Sequence, residues 1–178
     1  NRWGNFWSAG LAWVISKEDF FNAKWVDLLK VKASYGEQGN DQIGSYRYTT
    51  LYEVVNSGGS PAAVPYALGN KDITWETQGN FNVGVDWAFL DRINMTVEYY
   101  NKTTTDLLFQ VPTSIVTGFS SNWQNLGKLQ NQGVELTLTS TNISTKDFTW
   151  TTNLNLTRQS IKIKELPKKV TGKEENLF

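Results

Sequence analysis

Along residues 80–101, NFNVGVDWAFLDRINMTVEYYN, apolar and polar side chains alternate with a period of two. Phe81, Val83, Val85, Trp87 and Phe89 share one parity, and Asn80, Asn82, Gly84, Asp86 and Ala88 the other. After Leu90-Asp91-Arg92 the alternation resumes, with Ile93, Met95, Val97 and Tyr99 against Asn94, Thr96, Glu98 and Tyr100. Successive side chains of a strand point to opposite faces, so the stretch predicts a long hairpin with one apolar and one polar face. The same period recurs at about 3–16, 27–36, 132–140 and 148–160, which with 74–89 and 93–103 makes six strands. In the last of them the phase slips, because Ile161 and Ile163 take the opposite parity from Leu154 and Leu156. A β-bulge, or a strand end leaving its apolar surroundings, accounts for such a slip.

The connections alternate in length. Lys17–Trp25 is short, with one helical turn expected around Glu18–Phe21. Glu37–Ile73 is long, Leu90–Arg92 short, Thr104–Asn131 long and Thr141–Asp147 short. Short turns therefore collect at one end of the sheet and long loops at the other, the layout of an outer-membrane β-barrel. Thr74–Phe89 extends about 50 Å at roughly 3.3 Å per residue, enough to cross a hydrocarbon layer when tilted. Aromatic positions support this reading. Trp13, Trp87, Phe89, Phe148 and Trp150 fall near the short turns, and Trp3, Tyr35, Trp75 and Tyr99 nearer the long loops, as two interfacial girdles would. The girdle set is taken as Trp7, Trp13, Trp87, Phe89 and Trp150. Six strands cannot close a single-chain barrel, which takes at least about eight, and open edges are not viable in lipid. The fold class expected is therefore all-β, an antiparallel up-and-down meander forming an arc of a larger transmembrane barrel. A β-sandwich with a Trp-rich core is the alternative, and it would bury Val83, Val85, Val97, Leu136 and Leu154 against a second sheet.

Composition narrows the chemistry. Net charge is zero, with 17 basic and 17 acidic residues, so nothing points to nucleic acid. Cysteine and histidine are both absent, which removes thiol nucleophiles, disulfides, Cys/His zinc sites and any Ser-His-Asp triad. No apolar run of about 18 residues exists for a membrane-spanning helix. The chain opens at Asn1-Arg2-Trp3, already inside patterned sequence, and reads as a piece of something longer.

Candidate contact residues lie in the long loops. Tyr46, Tyr48 and Tyr52, with Tyr66 and a flexible Ser57–Pro61, occupy the first loop, and Phe119, Asn122 and Trp123 the second. Aromatic faces beside amides suit sugar or peptide recognition. The polar parity set, Lys30, Lys32, Asn80, Asn82, Asp86, Glu98, Glu135, Asn153 and Asn155, is expected to line the barrel interior with its charges paired across strands. Asp86 and Glu98 make a poor acid–base pair, since strand faces supply no pocket signal. No catalytic residue is assigned. Asn40-Asp41-Gln42 offers oxygen ligands for a structural calcium, although the spacing is not that of an EF-hand, and no other cofactor or metal is expected. Lys162, Lys164, Lys168, Lys169 and Lys173 form a basic run near a loop end, for which a solvated face is a simpler account than lipopolysaccharide phosphates.

Several blocks in order resemble one family. Asn1–Trp13, continuing through Ile15-Ser16-Lys17-Glu18, resembles the "R-W-G…F-x-S-x-G-x-x-W" strand of SusC/RagA-type TonB-dependent transporters. Trp25–Gly36 with Gly39-Asn40, Leu68-Gly69-Asn70, Ile73–Glu76, the 80–101 hairpin, Tyr99–Leu108 and Asn131–Glu135 resemble its following blocks, over about residues 1–165. The resemblance implies a 22-stranded barrel in the outer membrane of a Gram-negative bacterium of the Bacteroidota. It also implies an N-terminal plug, TonB-coupled import of oligosaccharides or peptides, and a SusD-like lipoprotein partner. Residues 1–178 are then expected to be part of that barrel domain, without the plug and final strands. A soluble or secreted all-β carbohydrate-binding module is the alternative function.

Overall fold

The structure, a computed structural model, describes residues 3–165. Lys168, Lys169 and Lys173 lie outside the described residues. In chain order the strands are β1 (Ser8–Val14), β2 (Val26–Asn40), β3 (Leu51–Ser57), β4 (Ser60–Ala67), β5 (Glu76–Phe89), β6 (Ile93–Thr105), β7 (Leu108–Pro112), β8 (Ser121–Asn125), β9 (Lys128–Ser144) and β10 (Thr149–Glu165). Six of them form one antiparallel sheet in the order β1-β2-β5-β6-β9-β10, while β3-β4 and β7-β8 are separate hairpins. The six long strands are those the alternation predicts, each neighbour in sequence being its neighbour in space.

Each long loop carries a hairpin of its own. Ser57–Pro61 forms the tip of the first hairpin: Gly58 and Gly59 have φ of 61° and 86°, the left-handed pair that a tight hairpin turn requires. A 3-10 helix occupies Ile15–Lys17, and the turn expected at Glu18–Phe21 follows it, with the Phe21 amide donating to the Glu18 carbonyl at 2.9 Å. Of the two accounts of the phase slip in β10, the strand end leaving its apolar surroundings holds, because pairing with β9 is unbroken from Thr151↔Thr141 to Ile163↔Leu129. Ile161 and Ile163 simply stand on the polar face, beyond the end of the apolar stretch.

Successive pairings trace one level across all six strands: Trp13, Val31, Val85, Val97, Leu136 and Leu156. The adjacent level on the same face runs Leu29, Trp87, Met95, Leu138 and Leu154. At these two levels one face is apolar from strand to strand, and Ser140 and Thr152 are polar on it one level further down. No second layer covers it among the described residues. Among the described residues no hydrophobic side chain is buried, and Leu154 and Leu156 are 40% and 53% exposed. The sandwich, which needs those side chains in a core, is not what the chain forms.

The apolar band does not follow the pairing levels; it slants across them. Along β1 and the residue before it, where the Trp7 carbonyl accepts from the Glu37 amide, it runs from Trp7 down to Trp13. On β10 it runs from Leu156, level with Trp13, down to Trp150. Between these strands the upper edge passes through Tyr35, Phe81, Tyr99 and Val134. Both edges therefore drop by six residues over five strand-to-strand steps. At roughly 3.3 Å per residue and about 4.8 Å between strands, a band of constant height requires strands tilted by about 40°. Strands of membrane barrels tilt by about 35–45°. On β5 the band from Phe81 to Phe89 measures about 26 Å along the strand and about 20 Å along the membrane normal at that tilt.

The β5–β6 turn is tight. Leu90 and Asp91 have φ of 57° and 51°, and the Arg92 amide donates to the Phe89 carbonyl at 3.3 Å. A leucine in the left-handed region is unfavourable by about 1 kcal/mol. Two outside contacts offset this: the Leu90 amide donates to the Trp25 carbonyl at 3.0 Å, and the Asp91 amide to Asp27 Oδ2 at 2.7 Å. Leu90→Asn, which keeps the backbone bonds and suits the turn, is expected to stabilise the full barrel by about 0.5–1 kcal/mol. The midpoint of heat-induced unfolding on SDS gels checks this; a lower midpoint would show that the Leu90 side chain itself is needed.

Candidate functional site

The inner face is polar, and its charges are cross-linked. Lys30 pairs in register with Asp86, and Lys32 with Gly84. Gly84 in turn lies opposite Glu98, and Glu98 opposite Glu135. Two carboxylates directly opposite each other repel. Relief comes through Gly84: having no side chain, it lets Lys32 reach over β5 to form an ion pair with Glu98, while Lys32 also meets Asp86 at 3.3 Å and Lys30 meets it at 3.8 Å. A Cβ at Gly84 would stand 2.9 Å from Lys32 Cε and 3.0 Å from Glu98 Cγ. Thr96 donates to Asp86 at 3.1 Å. Asp86 and Glu98 are thus held by a shared lysine on an open sheet, an arrangement that braces the wall. A second device sits beside it. Tyr100 lies over Gly133, where a Cβ would come within 2.7 Å of the phenolic oxygen, so the ring fills the space the glycine leaves. All nine residues expected on this face lie there by register.

At the long-loop end the two hairpins are fastened together. Leu68 makes a parallel bridge with Asn122, and Asn70 Nδ2 donates to the Trp123 carbonyl at 2.9 Å. Asn125 is the central clamp. Its Oδ1 accepts from the Thr74 amide at 2.8 Å, and its Nδ2 donates to the Thr74 carbonyl at 2.8 Å and the Asp106 carbonyl at 2.9 Å. Tyr52 of the first hairpin meets Phe119 of the second edge-to-face, with ring centroids 6.5 Å apart.

The six loop residues expected at a ligand site therefore divide. Tyr46 and Tyr48 form an exposed pair 6.4 Å apart. They border a cavity of about 550 Å³ that also has Asp41, Arg47, Lys71 and Trp75 in its wall. Tyr52 and Phe119 join the hairpins. Asn122 and Trp123 are half-buried parts of β8, and the Asn122 side chain accepts from Gln124 at 2.9 Å. Arg47 and Lys71 escaped sequence reasoning because neither belongs to a motif. Arg47 Nε donates to the Ile43 carbonyl at 2.9 Å, which fixes the guanidinium beside the cavity. Of the residues considered for calcium, Asn40 bridges strands: its Nδ2 donates to Glu76 at 2.8 Å and its Oδ1 accepts from the Gln42 amide at 3.2 Å. Among the described residues no group of three or more His, Cys, Asp or Glu side chains is placed to hold a metal ion.

The five aromatic girdle candidates lie at the edges of the apolar band. Trp7 packs on Tyr35 at 5.1 Å at the long-loop edge. At the other edge, Trp13 meets Phe20 at 6.2 Å, Trp87 meets Phe89 at 5.0 Å, and Trp25 touches both Trp87 and Phe89. Trp150 stands 53% exposed opposite Ile143. Trp25 and Phe20 belong to this cluster although they precede or follow strands, where no alternation marks them.

Gly84→Ala is expected to destabilise the barrel by about 1–2 kcal/mol by displacing the Lys32–Glu98 pair. In a double-mutant cycle, part of that loss should vanish when Lys32 is already alanine. Additive losses in unfolding midpoints would show that Gly84 serves another purpose.

Comparison with known proteins agrees with this geometry. The family model described as "TonB dependent receptor-like, beta-barrel" matches residues 1–173. TonB-dependent receptor P39 of Formosa agariphila is 39% identical over 169 residues, covering 92% of this chain and 16% of its own. TonB-dependent receptor SusC of Bacteroides thetaiotaomicron is 34% identical over 169 residues, covering 88% and 17%. Among solved structures, the RagAB peptide importer in its "closed-closed" state superposes with a TM-score of 0.82 at 32% identity, over 90% of this chain and 18% of that one. The chain spans about a sixth of the length of these relatives. It belongs to the TonB-dependent receptor family and corresponds to a part of that family's β-barrel.

Proposed function

We propose that this chain is an arc of the outer-membrane wall of a TonB-dependent importer of bulky nutrients, oligosaccharides or peptides, working with a SusD-like surface lipoprotein. The observation that carries the reading is the slanted apolar band, continuous over six strands, backed by a charged and amide-rich inner face. Lipid covers the first face and the importer's interior lies against the second. Short turns then stand on the periplasmic side and the two fastened hairpins on the outside, where solutes arrive. The segment supplies wall, lining and an external rim, and energy enters through TonB elsewhere in the protein. No bond is made or broken by these residues. A secreted carbohydrate-binding sandwich is disfavoured because its core is absent from the described residues.

The test uses the full-length transporter. Val85→Arg places a charge in the middle of the outer face and is expected to cost about 2–4 kcal/mol, with loss of assembled protein from the membrane. Thr96→Arg, on the inner face of the neighbouring strand, should be tolerated. Equal damage from both would contradict the assignment of faces. For the external rim, a Tyr46→Ala/Tyr48→Ala protein should assemble normally yet need about tenfold more substrate for half-maximal uptake, as loss of two aromatic contacts implies. Unchanged uptake would remove this tyrosine pair from the solute's path.

A further inference from the structure

The band's upper edge gives every outward residue of β9 and β10 a height, and the cations there follow a pattern. Leu156 is the last apolar residue on the outer face of β10. The outward positions above it are Arg158, Ser160 and Lys162, opposite Val134, Gln132 and Gln130. At a tilt of about 40°, Arg158 stands about 5 Å and Lys162 about 15 Å above Leu156 along the membrane normal. Long cationic side chains reach several ångströms along an interface, so the two bracket the layer just outside the hydrocarbon. Lys164 is the extra residue where register shifts between Ile163 and Glu165. With Thr103, Lys128, Gln130 and Glu165 it walls a concavity of about 460 Å³ at the same end. Glu165 lies directly opposite Lys128, so that pair is balanced in register. The other outward acid at this end, Glu37, accepts a hydrogen bond from Tyr35 at 2.8 Å on the far side of the sheet. Arg158, Lys162 and Lys164 are exposed on β10, an edge strand of the described sheet, and the three ion pairs among the described residues involve none of them. The opposite end carries no such bias: Lys17, Lys24, Arg92 and Lys146 are interspersed with Glu18, Asp19, Asp91 and Asp147.

We infer that Arg158 and Lys162, aided by Lys164, form a docking surface for the phosphate groups of outer-leaflet lipid headgroups. Guanidinium and ammonium groups bind phosphate as a fork and a point charge respectively. On the same outward levels Gln130 Nε2 donates to Asn101 Oδ1 at 3.0 Å, and the remaining amide N–H groups of Gln130, Gln132 and Asn101 supply neutral donors beside them. Cations placed directly above an apolar band meet the headgroup and acyl parts of one lipid molecule together, which a free anion does not exploit. The surface would hold a ring of tightly associated lipid on this side of the barrel. The inference rests on the outer face being lipid-facing.

Full-length transporter purified in mild detergent is mixed with diphosphoryl lipid A, its dephosphorylated form, or inorganic phosphate, and retained lipid is counted by native mass spectrometry. The unaltered protein should retain diphosphoryl lipid A. Arg158→Ala/Lys162→Ala should bind it about tenfold or more weakly, given the energy of each interfacial cation. Arg158→Lys/Lys162→Arg should restore retention, and added salt should weaken it. Dephosphorylated lipid should bind both proteins equally and poorly. If assembly of the double variant fails on heat-modifiability gels, Lys162→Ala alone, farthest from the apolar band, reads the same surface. Equal retention by the altered and unaltered proteins would overturn the inference, as would full competition by inorganic phosphate at matched phosphate concentration. A lipid-exposure probe at Val85 in the same preparation reports separately on the outer face. Exposure there with equal lipid retention defeats only the headgroup site, whereas a Val85 shielded from lipid defeats the orientation beneath it.

Discussion

Inside hydrocarbon no water satisfies a backbone amide or carbonyl, and each one left unpaired is unfavourable by several kcal/mol. That constraint organises the sheet. Pairing runs without a break from Thr77↔Thr105 to Phe89↔Ile93 between β5 and β6, and from Ile93↔Ser140 to Thr105↔Lys128 between β6 and β9. Register shifts occur only near strand ends, at Val26/Leu28, Trp150/Thr151 and Ile163/Glu165. Side chains are then free to differ on the two faces. Lipid contact needs no core, so packing between layers, which stabilises soluble domains, is replaced here by continuity of the ladder and by contacts along each face. The cross-linked inner charges and the ring of Tyr100 over Gly133 are such contacts. Lys32 is partly exposed, and solvent screening keeps its pairs modest, so they specify register more than they stabilise.

The long strands were legible because the alternation of Phe81–Phe89 and Ile93–Tyr99 has one cause, a two-sided environment that persists for the whole crossing. The same logic explains the extent of β9, which runs beyond its apolar stretch at both ends. Gln130 and Gln132 lie above the band, and Asn142 marks the shift that brings Ile143 opposite Trp150. Polar residues there leave no periodic signal, although the ladder continues. The tilt was legible only in combination: neither sequence nor register alone contains it, but the drop of the apolar edge from Trp7 to Leu156 across paired strands does.

The external hairpins were obscured for a different reason. β3 and β4 are open to water on much of both faces, so Tyr52, Val54, Val64 and Tyr66 show no consistent inside. Gly58-Gly59 was the available signal, and a glycine pair between two β-prone runs is a turn before it is a flexible linker. The clamp at Asn125 could not be anticipated, because it joins residues 51 positions apart through one amide. Fastening the two loops leaves Tyr46 and Tyr48 on a rigid rim beside Arg47, so the solute contacts proposed there need less ordering on binding.

The orientation of the two faces is the claim on which the rest depends, and a nitroxide scan along β5 in the full-length transporter, reconstituted in lipid, tests it most directly. Labels placed singly from Gly79 to Leu90 report collision with oxygen, which partitions into hydrocarbon, and with a polar nickel chelate, which stays in water. The account predicts a period of two. Oxygen access should peak at positions 83, 85 and 87, and chelate access at 82, 84 and 86, with the contrast fading toward both ends of the band. Uniform chelate access, or shielding of 83, 85 and 87 from both reagents, would contradict it and place that face against protein instead of lipid.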